Sequence, residues 1–261
     1  YAAISRVLSA KSFKPLPDAD LEFIAGLFNA SKREAKPAGG PMKVLFLPHS
    51  VYALVWRLTE ATSGKAVYEK VSPLKDKVGQ RVLSDKLTLV DEPLNDALPG
   101  ARAFDDEGTA CHNTTLFEAG VLRGFYNDLY YAWKNGVQPT GHGYRADVTS
   151  KAVPSLEHLR IEPGPASIPE MVKQMERGVI VAGVMGAHSG NILNGDYSLG
   201  LSPGLWVENG EITGQVKDAM VAGNVYETMT NVVAVGDKAH DSPMGRFPAV
   251  LFDGVSVATK G

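Results

Sequence analysis

Twenty-seven glycines are spread through 261 residues, and many of them close short apolar runs. This spacing commits the chain to frequent reversals and hence to a turn-heavy, mainly antiparallel sheet. Three reversals stand out after apolar alternation: Glu118-Ala119-Gly120, Asn209-Gly210 and Asp253-Gly254. The last two are the residue pairs that a two-residue hairpin prefers, because a type I′ turn needs positive φ at both central positions. Met42-Lys43-Val44-Leu45-Phe46-Leu47 reads as a buried strand, and Val82 to Val90 and Asn113 to Phe117 read as further strands.

Helices are fewer. Asp18 or Asp20 is placed to cap one whose apolar residues Leu21, Ile24, Ala25 and Phe28 share a face, and Ser50 to cap another with Val51, Leu54, Val55 and Leu58 in one stripe, stopping near Gly64. Short helices are expected at about 127–135, 168–178 and 224–233, with a long Pro- and Gly-containing loop over 149–169. Lys36 to Pro41 reads as a linker. The expected organisation is residues 1–41 as the end of an N-terminal domain plus a helix and linker, then a β-rich domain over 42–261. The class is α+β, with β dominating the C-terminal two-thirds.

Composition excludes several functions. The formal net charge is −3, and basic residues such as Lys75, Lys77, Arg81 and Lys86 alternate with acids, so no basic stripe for nucleic acid is present. No apolar run approaches the roughly 18–20 residues of a membrane span. The single cysteine, Cys111, rules out an internal disulfide and suits a reducing compartment, which makes the cytoplasm the expected location. The sequence opens on Tyr1 rather than Met, so targeting information upstream is left open.

Most catalytic signatures fail on inspection. The six histidines, His49, His112, His142, His158, His188 and His240, include no pair four apart, so no helix presents two imidazoles on one face for zinc. Gly200-Leu201-Ser202-Pro203-Gly204 formally matches a nucleophile elbow, but the residue after the serine must donate its backbone N–H and Pro203 has none. No phosphate-binding loop occurs. Asp105-Asp106-Glu107-Gly108 reads as a turn whose Asp side chains bond nearby main-chain N–H groups. One polar cluster remains, His188, Ser189, Asn191, Asp196, Tyr197 and Ser198, set among glycines that let another backbone approach. It suits either an extended peptide held by main-chain hydrogen bonds or a loop satisfied by itself. A hydrolase centred on His188 and Asp196 is a further alternative.

Several segments in fixed order resemble the C-terminal domain of the TldD/PmbA family, once called modulators of DNA gyrase. They are Gly64-Lys65-Ala66-Val67-Tyr68 with Ser72 to Gly79, Phe104 to Thr109, Glu118 to Leu122, Asn127-Asp128-Leu129-Tyr130, Pro139 to Gly143, Gly195 to Ser198, Trp206 to Ile212 and Gly223-Asn224. The resemblance covers roughly residues 42 to 257. It implies a dimeric assembly in which a zinc peptidase subunit, TldD-like, pairs with a PmbA/TldE-like partner. The peptidase subunit carries H-E-x-x-x-H on the helix after the first strand of this domain. Here Glu60 matches the glutamate, but Thr59 and Gly64 stand in place of the two histidines, and neither can replace an imidazole on zinc. The expectation is therefore a non-catalytic subunit that holds no cofactor of its own and binds extended, unfolded peptide beside a zinc-bearing TldD-like partner. The alternative is a homodimeric peptide- or protein-binding module with no protease partner.

Overall fold

The computed structural model describes residues 4–259. Its main feature is a large mixed sheet whose strands run in the order Glu34–Ala35, Glu211–Val216, Gly204–Glu208, Arg177–Val181, Gly40–Phe46, Val250–Thr259, Ala219–Asn224, Asp196–Leu201 and Val184–Met185, with Val232–Val235 also paired to Val250–Thr259. Most pairs are antiparallel, as expected, but the central pair, Gly40–Phe46 with Arg177–Val181, is parallel. The sheet is covered on both faces, which explains why its central strands are continuous apolar runs. Alternation divides them: Val44, Phe46, Val179, Val181 and Phe252 enter one core, while Leu45, Ile180 and Leu251 enter the other.

The first core lies beneath the helix Pro48–Thr62, whose Val51, Leu54, Val55 and Leu58 are fully buried. Beside it is a second, smaller sheet ordered His240–Ser242, Gly245–Phe247, Leu159–Ile161, Leu89–Asp91, Thr114–Glu118 and Val121–Leu122. The second core lies under the helices Asp18–Ala30 and Ile168–Lys173, through Leu27, Met171 and Val172.

Several expectations are corrected. Ser50 does not cap the long helix: Leu47 is the N-cap and Pro48 is the first helical residue, a position where a missing N–H costs nothing. The first helix likewise lacks a side-chain cap, and Asp18 and Asp20 lie in its first turn. Asp253-Gly254 makes no hairpin but a bulge inside the strand Val250–Thr259, which pairs with Gly40–Phe46 on both sides of it. Asn209-Gly210 does turn a hairpin, with φ of 52° and 77°, and so do Ala119 and Gly120. Of Val82 to Val90, only its end joins a strand, Leu89–Asp91. Val82 and Leu83 instead donate their N–H groups to the Gly120 carbonyl.

The helices expected over 168–178 and 224–233 shrink to Ile168–Lys173 and Val225–Thr228, because Arg177–Val181 and Val232–Val235 are strands. The loop over 149–169 hides an interior strand, Leu159–Ile161. Gly40 and Pro41, expected in a linker, are the first residues of the strand Gly40–Phe46. No helix among the described residues is long and apolar enough to cross a membrane.

Candidate functional site

A cleft of about 760 Å³ opens where the long helix ends. Thr59, Glu60 and Ser63 form one wall, Tyr126 the back, Glu157 and His158 a second wall, and the hairpin of His240–Ser242 and Gly245–Phe247, which carries Arg246, the rim. The small sheet brings these distant segments together: Leu159 is opposite Asp91, and Arg246 is in register with Arg160.

Thr59 and Glu60 of the degenerate motif thus lie in this cleft. Glu60 is exposed, and its carboxylate accepts a hydrogen bond from the Trp56 indole at 3.0 Å. The Thr59 hydroxyl donates to the Trp56 carbonyl at 2.8 Å. Gly64 is a different case. Its N–H donates to the Tyr126 carbonyl at 2.8 Å, and its carbonyl accepts from the Asn135 side chain at 2.9 Å. A Cβ placed there would overlap Oδ1 of the buried Asn127. The residues at 59, 60 and 64 do not fit a zinc ion: they offer one carboxylate, a hydroxyl already committed to a carbonyl, and a position closed to any side chain.

The Tyr126 hydroxyl donates to the Thr59 carbonyl at 3.0 Å. Burial, reinforced by the nearby Glu60 charge, pushes its pKa far above the ordinary tyrosine value, so it remains a neutral donor. The second wall is held from behind by Asp91, which is fully buried. One Asp91 oxygen accepts the main-chain N–H groups of His158 at 2.7 Å and Glu157 at 3.1 Å. The other faces Nε2 of the buried His142 at 3.4 Å. The Thr140 hydroxyl lies 3.0 Å from the Asn127 carbonyl and 2.9 Å from His142 Nδ1, so it ties the histidine ring to the Asn127 main chain.

Arg246 on the rim is fixed by Glu92, which accepts from Arg246 at 3.1 Å and from Arg160 at 2.9 and 3.1 Å. The Arg160 hydrogen bonds hold the Glu92 carboxyl below the ordinary carboxylate range, opposed by burial. A depressed folded-state pKa stabilises fully above the unfolded value, and the gain is lost as pH falls through the folded one. Glu92→Gln is therefore expected to cost about 1–2 kcal/mol at neutral pH. In thermal melts across pH, the gap from the unmodified protein should narrow below about pH 4. A gap that stays constant into acid would show that the charge contributes nothing.

The second cluster lies around a residue that the sequence did not single out. Arg57 is fully buried on the long helix. Its guanidinium donates to the main-chain carbonyls of Ser189 at 2.7 Å and Asp196 at 2.8 Å, and to that of Ala53. Asn191 accepts from the Asn194 N–H at 3.1 Å, and Asp196 from the Asn224 amide at 3.0 Å. Tyr197 is buried and shares a 2.7 Å hydrogen bond with Thr228. Ser198 lies in strand register with Ala222, and His188 is exposed. Ser189, Asp196 and Tyr197 are thus gathered around Arg57, while Asn191 stays within its own loop and His188 is exposed to solvent. An arginine among Val55, Leu58 and Ala61 was the available signal, since a buried guanidinium requires acceptors. Asp105 makes the turn expected of it, accepting the N–H groups of Glu107 at 3.0 Å and Thr109 at 2.8 Å.

The model of the PmbA/TldA metallopeptidase C-terminal domain matches residues 39–259. The metalloprotease PmbA of Escherichia coli O157:H7 is 31% identical over 194 residues, 74% of this chain and 40% of its own length. The PmbA homologue of Haemophilus influenzae is 29% identical over 82% of this chain and 45% of its own. The chain therefore spans less than half the length of these relatives. The crystal structure of TldE from Thermococcus kodakarensis superposes with a TM-score of 0.86 at 28% identity, covering 92% of this chain and 55% of that one. A Thermotoga maritima protein described as a modulator of a DNA gyrase superposes with a TM-score of 0.77 at 33% identity, covering 86% of this chain and 51% of that one. A match of this extent in sequence and fold has one meaning: the chain belongs to the PmbA/TldD metallopeptidase family, as a version of its C-terminal domain.

Proposed function

We propose that this chain is a non-catalytic, peptide-handling subunit of a TldD/TldE-like metallopeptidase assembly, with zinc carried by a histidine-bearing TldD-like partner. The observation that carries the reading is Gly64. The cleft characteristic of its surroundings is open, yet the position where the motif needs its second histidine is filled by Asn127. Cleavage through that position has been given up while the space for a polypeptide is kept.

The cleft has the chemistry to hold an extended main chain. Glu60 and Glu157 present acceptors for peptide N–H groups, and Arg246 presents donors for carbonyls. The loop carrying His188 and Asn191, with Ser198 on the strand Asp196–Leu201 that follows it, extends the same reading as a second contact for peptide. The single buried thiol suits work in the cytoplasm.

The test is a peptide-hydrolysis assay with zinc counted in the same sample. The chain alone should bind a labelled unfolded peptide without cutting it, and the paralogue bearing H-E-x-x-x-H should cut faster in its presence. Metal-dependent turnover by the isolated chain would overturn the proposal, as would a paralogue whose rate and peptide affinity ignore it.

A further inference from the structure

The helix Leu129–Asn135 has the sequence LYYAWKN and buries fully only Ala132. Its start is fixed by the Asp128 side chain, which accepts the Tyr131 N–H at 2.7 Å, and its end by Gly136 at a φ of 67°. Two of its aromatic residues face solvent: Tyr130 is 53% and Trp133 71% exposed. Tyr68, at the end of the preceding short helix Gly64–Tyr68, is 42% exposed. The rings form one cluster: Tyr68 to Tyr131 at 6.1 Å, Tyr131 to Tyr130 at 5.1 Å and Tyr130 to Trp133 at 6.3 Å. The Lys134 ammonium sits over three of them, 4.7 Å from Trp133, 5.4 Å from Tyr130 and 5.6 Å from Tyr68.

Beside this cluster is a hollow of about 630 Å³ with an apolar floor that includes Val67, Phe125 and Val137. Its cations are Lys70, Lys75 and Lys134, and its lining contains no carboxylate. Among the described residues, the lysines that form ion pairs are Lys11 and Lys217, so these three are uncommitted. Two carboxylates lie near the rings: that of Asp128 is used as the helix cap, and that of the exposed Glu69, next to Lys70 in sequence, bears on Tyr131 without forming a salt bridge to any of the three lysines. A chain of formal charge −3 thus concentrates unpaired positive charge around an apolar floor and exposed aromatic rings.

We propose that this face is a docking site for an acidic, extended segment of a protein partner. An aromatic or long aliphatic side chain of that segment sits on the Phe125 floor, and its carboxylates meet Lys70, Lys75 and Lys134. Charge complementarity selects the occupant: three lysines that form no salt bridge, around a hollow with no carboxylate in its lining, repel a basic segment and steer an acidic one. Exposed tyrosine and tryptophan are the residue types that carry most of the energy at protein interfaces. Lys134 is already ordered over its rings, so less side-chain entropy is lost when a carboxylate arrives. The site is separate from the cleft, although the two share a wall: Tyr126 lines the cleft, and the adjoining Asn127, which closes Gly64, lines the hollow.

Fluorescence anisotropy on the full chain tests it, with a labelled peptide alternating glutamate and leucine around one phenylalanine, and a twin carrying glutamine for every glutamate. The acidic probe should bind saturably, and the neutral twin about tenfold more weakly. Binding should weaken as salt is raised. Lys75→Glu combined with Lys134→Glu should weaken it by a further tenfold or so, and Trp133→Ala should weaken it as well. Lys75 and Trp133 are exposed, and an unchanged melting temperature for a Lys75→Glu single variant keeps the test valid should the double variant unfold. The proposal is overturned if the two probes bind alike, if no saturable binding occurs by millimolar protein, or if the lysine variants bind as tightly as the unmodified chain. Displacement of the probe by equimolar free glutamate or phosphate would also overturn it, assigning the hollow to a small anion.

Discussion

Histidines placed at positions 59 and 64 will not give this chain a zinc site, and Gly64→Ala alone will destabilise it by about 2–4 kcal/mol. The cause is local. A Cβ at position 64 overlaps Oδ1 of Asn127, whose side chain cannot swing aside: it is 3% exposed, donates to the Phe125 carbonyl at 3.1 Å and accepts from Asn135 at 3.3 Å. The main chain of Gly64 is also held from two sides, by Tyr126 and Asn135. In a domain of this size the loss corresponds to a fall in melting temperature of roughly 5–10 °C. Because the clash is with one side chain, Asn127→Ala in the same molecule should recover part of the loss, and a double-mutant cycle measures how much. Calorimetric titration of the Thr59→His/Gly64→His variant should show no tight zinc uptake. A variant that melts like the unmodified protein and takes up one zinc per chain would show that position 64 is open after all.

The strand Gly40–Phe46 was legible because its second half obeys a simple rule: Val44 to Phe46 is apolar throughout and is covered on both faces. Asn209-Gly210 was legible because its φ values admit few residue types. Asp253-Gly254 has the same local chemistry, and only its pairing with Met42 and Val44 on either side makes it a bulge. The same limit applies to Arg177–Val181 and Val232–Val235, whose helical spacing gave way to neighbouring strands that needed partners. Within the cleft, Thr59 and Glu60 could be picked out because the family resemblance marks their helix. Tyr126, Glu157, His158 and Arg246 could not, since they meet only through the register of the small sheet and the carboxylate of Asp91.

Arg57→Met should be the most damaging single change in the long helix, costing about 3–5 kcal/mol. The guanidinium is fully buried, lies 5.9 Å from the Tyr197 ring and makes its hydrogen bonds to main-chain carbonyls. Methionine fills much of the volume but leaves the Ser189 and Asp196 carbonyls without their guanidinium donors in a half-buried setting. Lysine should recover only part of the loss, because one ammonium cannot reproduce a planar fork that reaches carbonyls on two elements. Hydrogen exchange should rise first in the segment 189–196, ahead of the strands Gly40–Phe46 and Arg177–Val181. Protection that falls uniformly, or a melting temperature within a degree or so of the unmodified protein, would mean that Arg57 does not tie this loop to the helix. The same comparison separates two roles for the loop. His188 is exposed and makes no tie to the helix, so His188→Ala should leave stability unchanged, and any loss of peptide affinity it causes reports contact with peptide. Arg57→Met should lower both, because the loop presents His188 and Asn191 only while its carbonyls are held from behind.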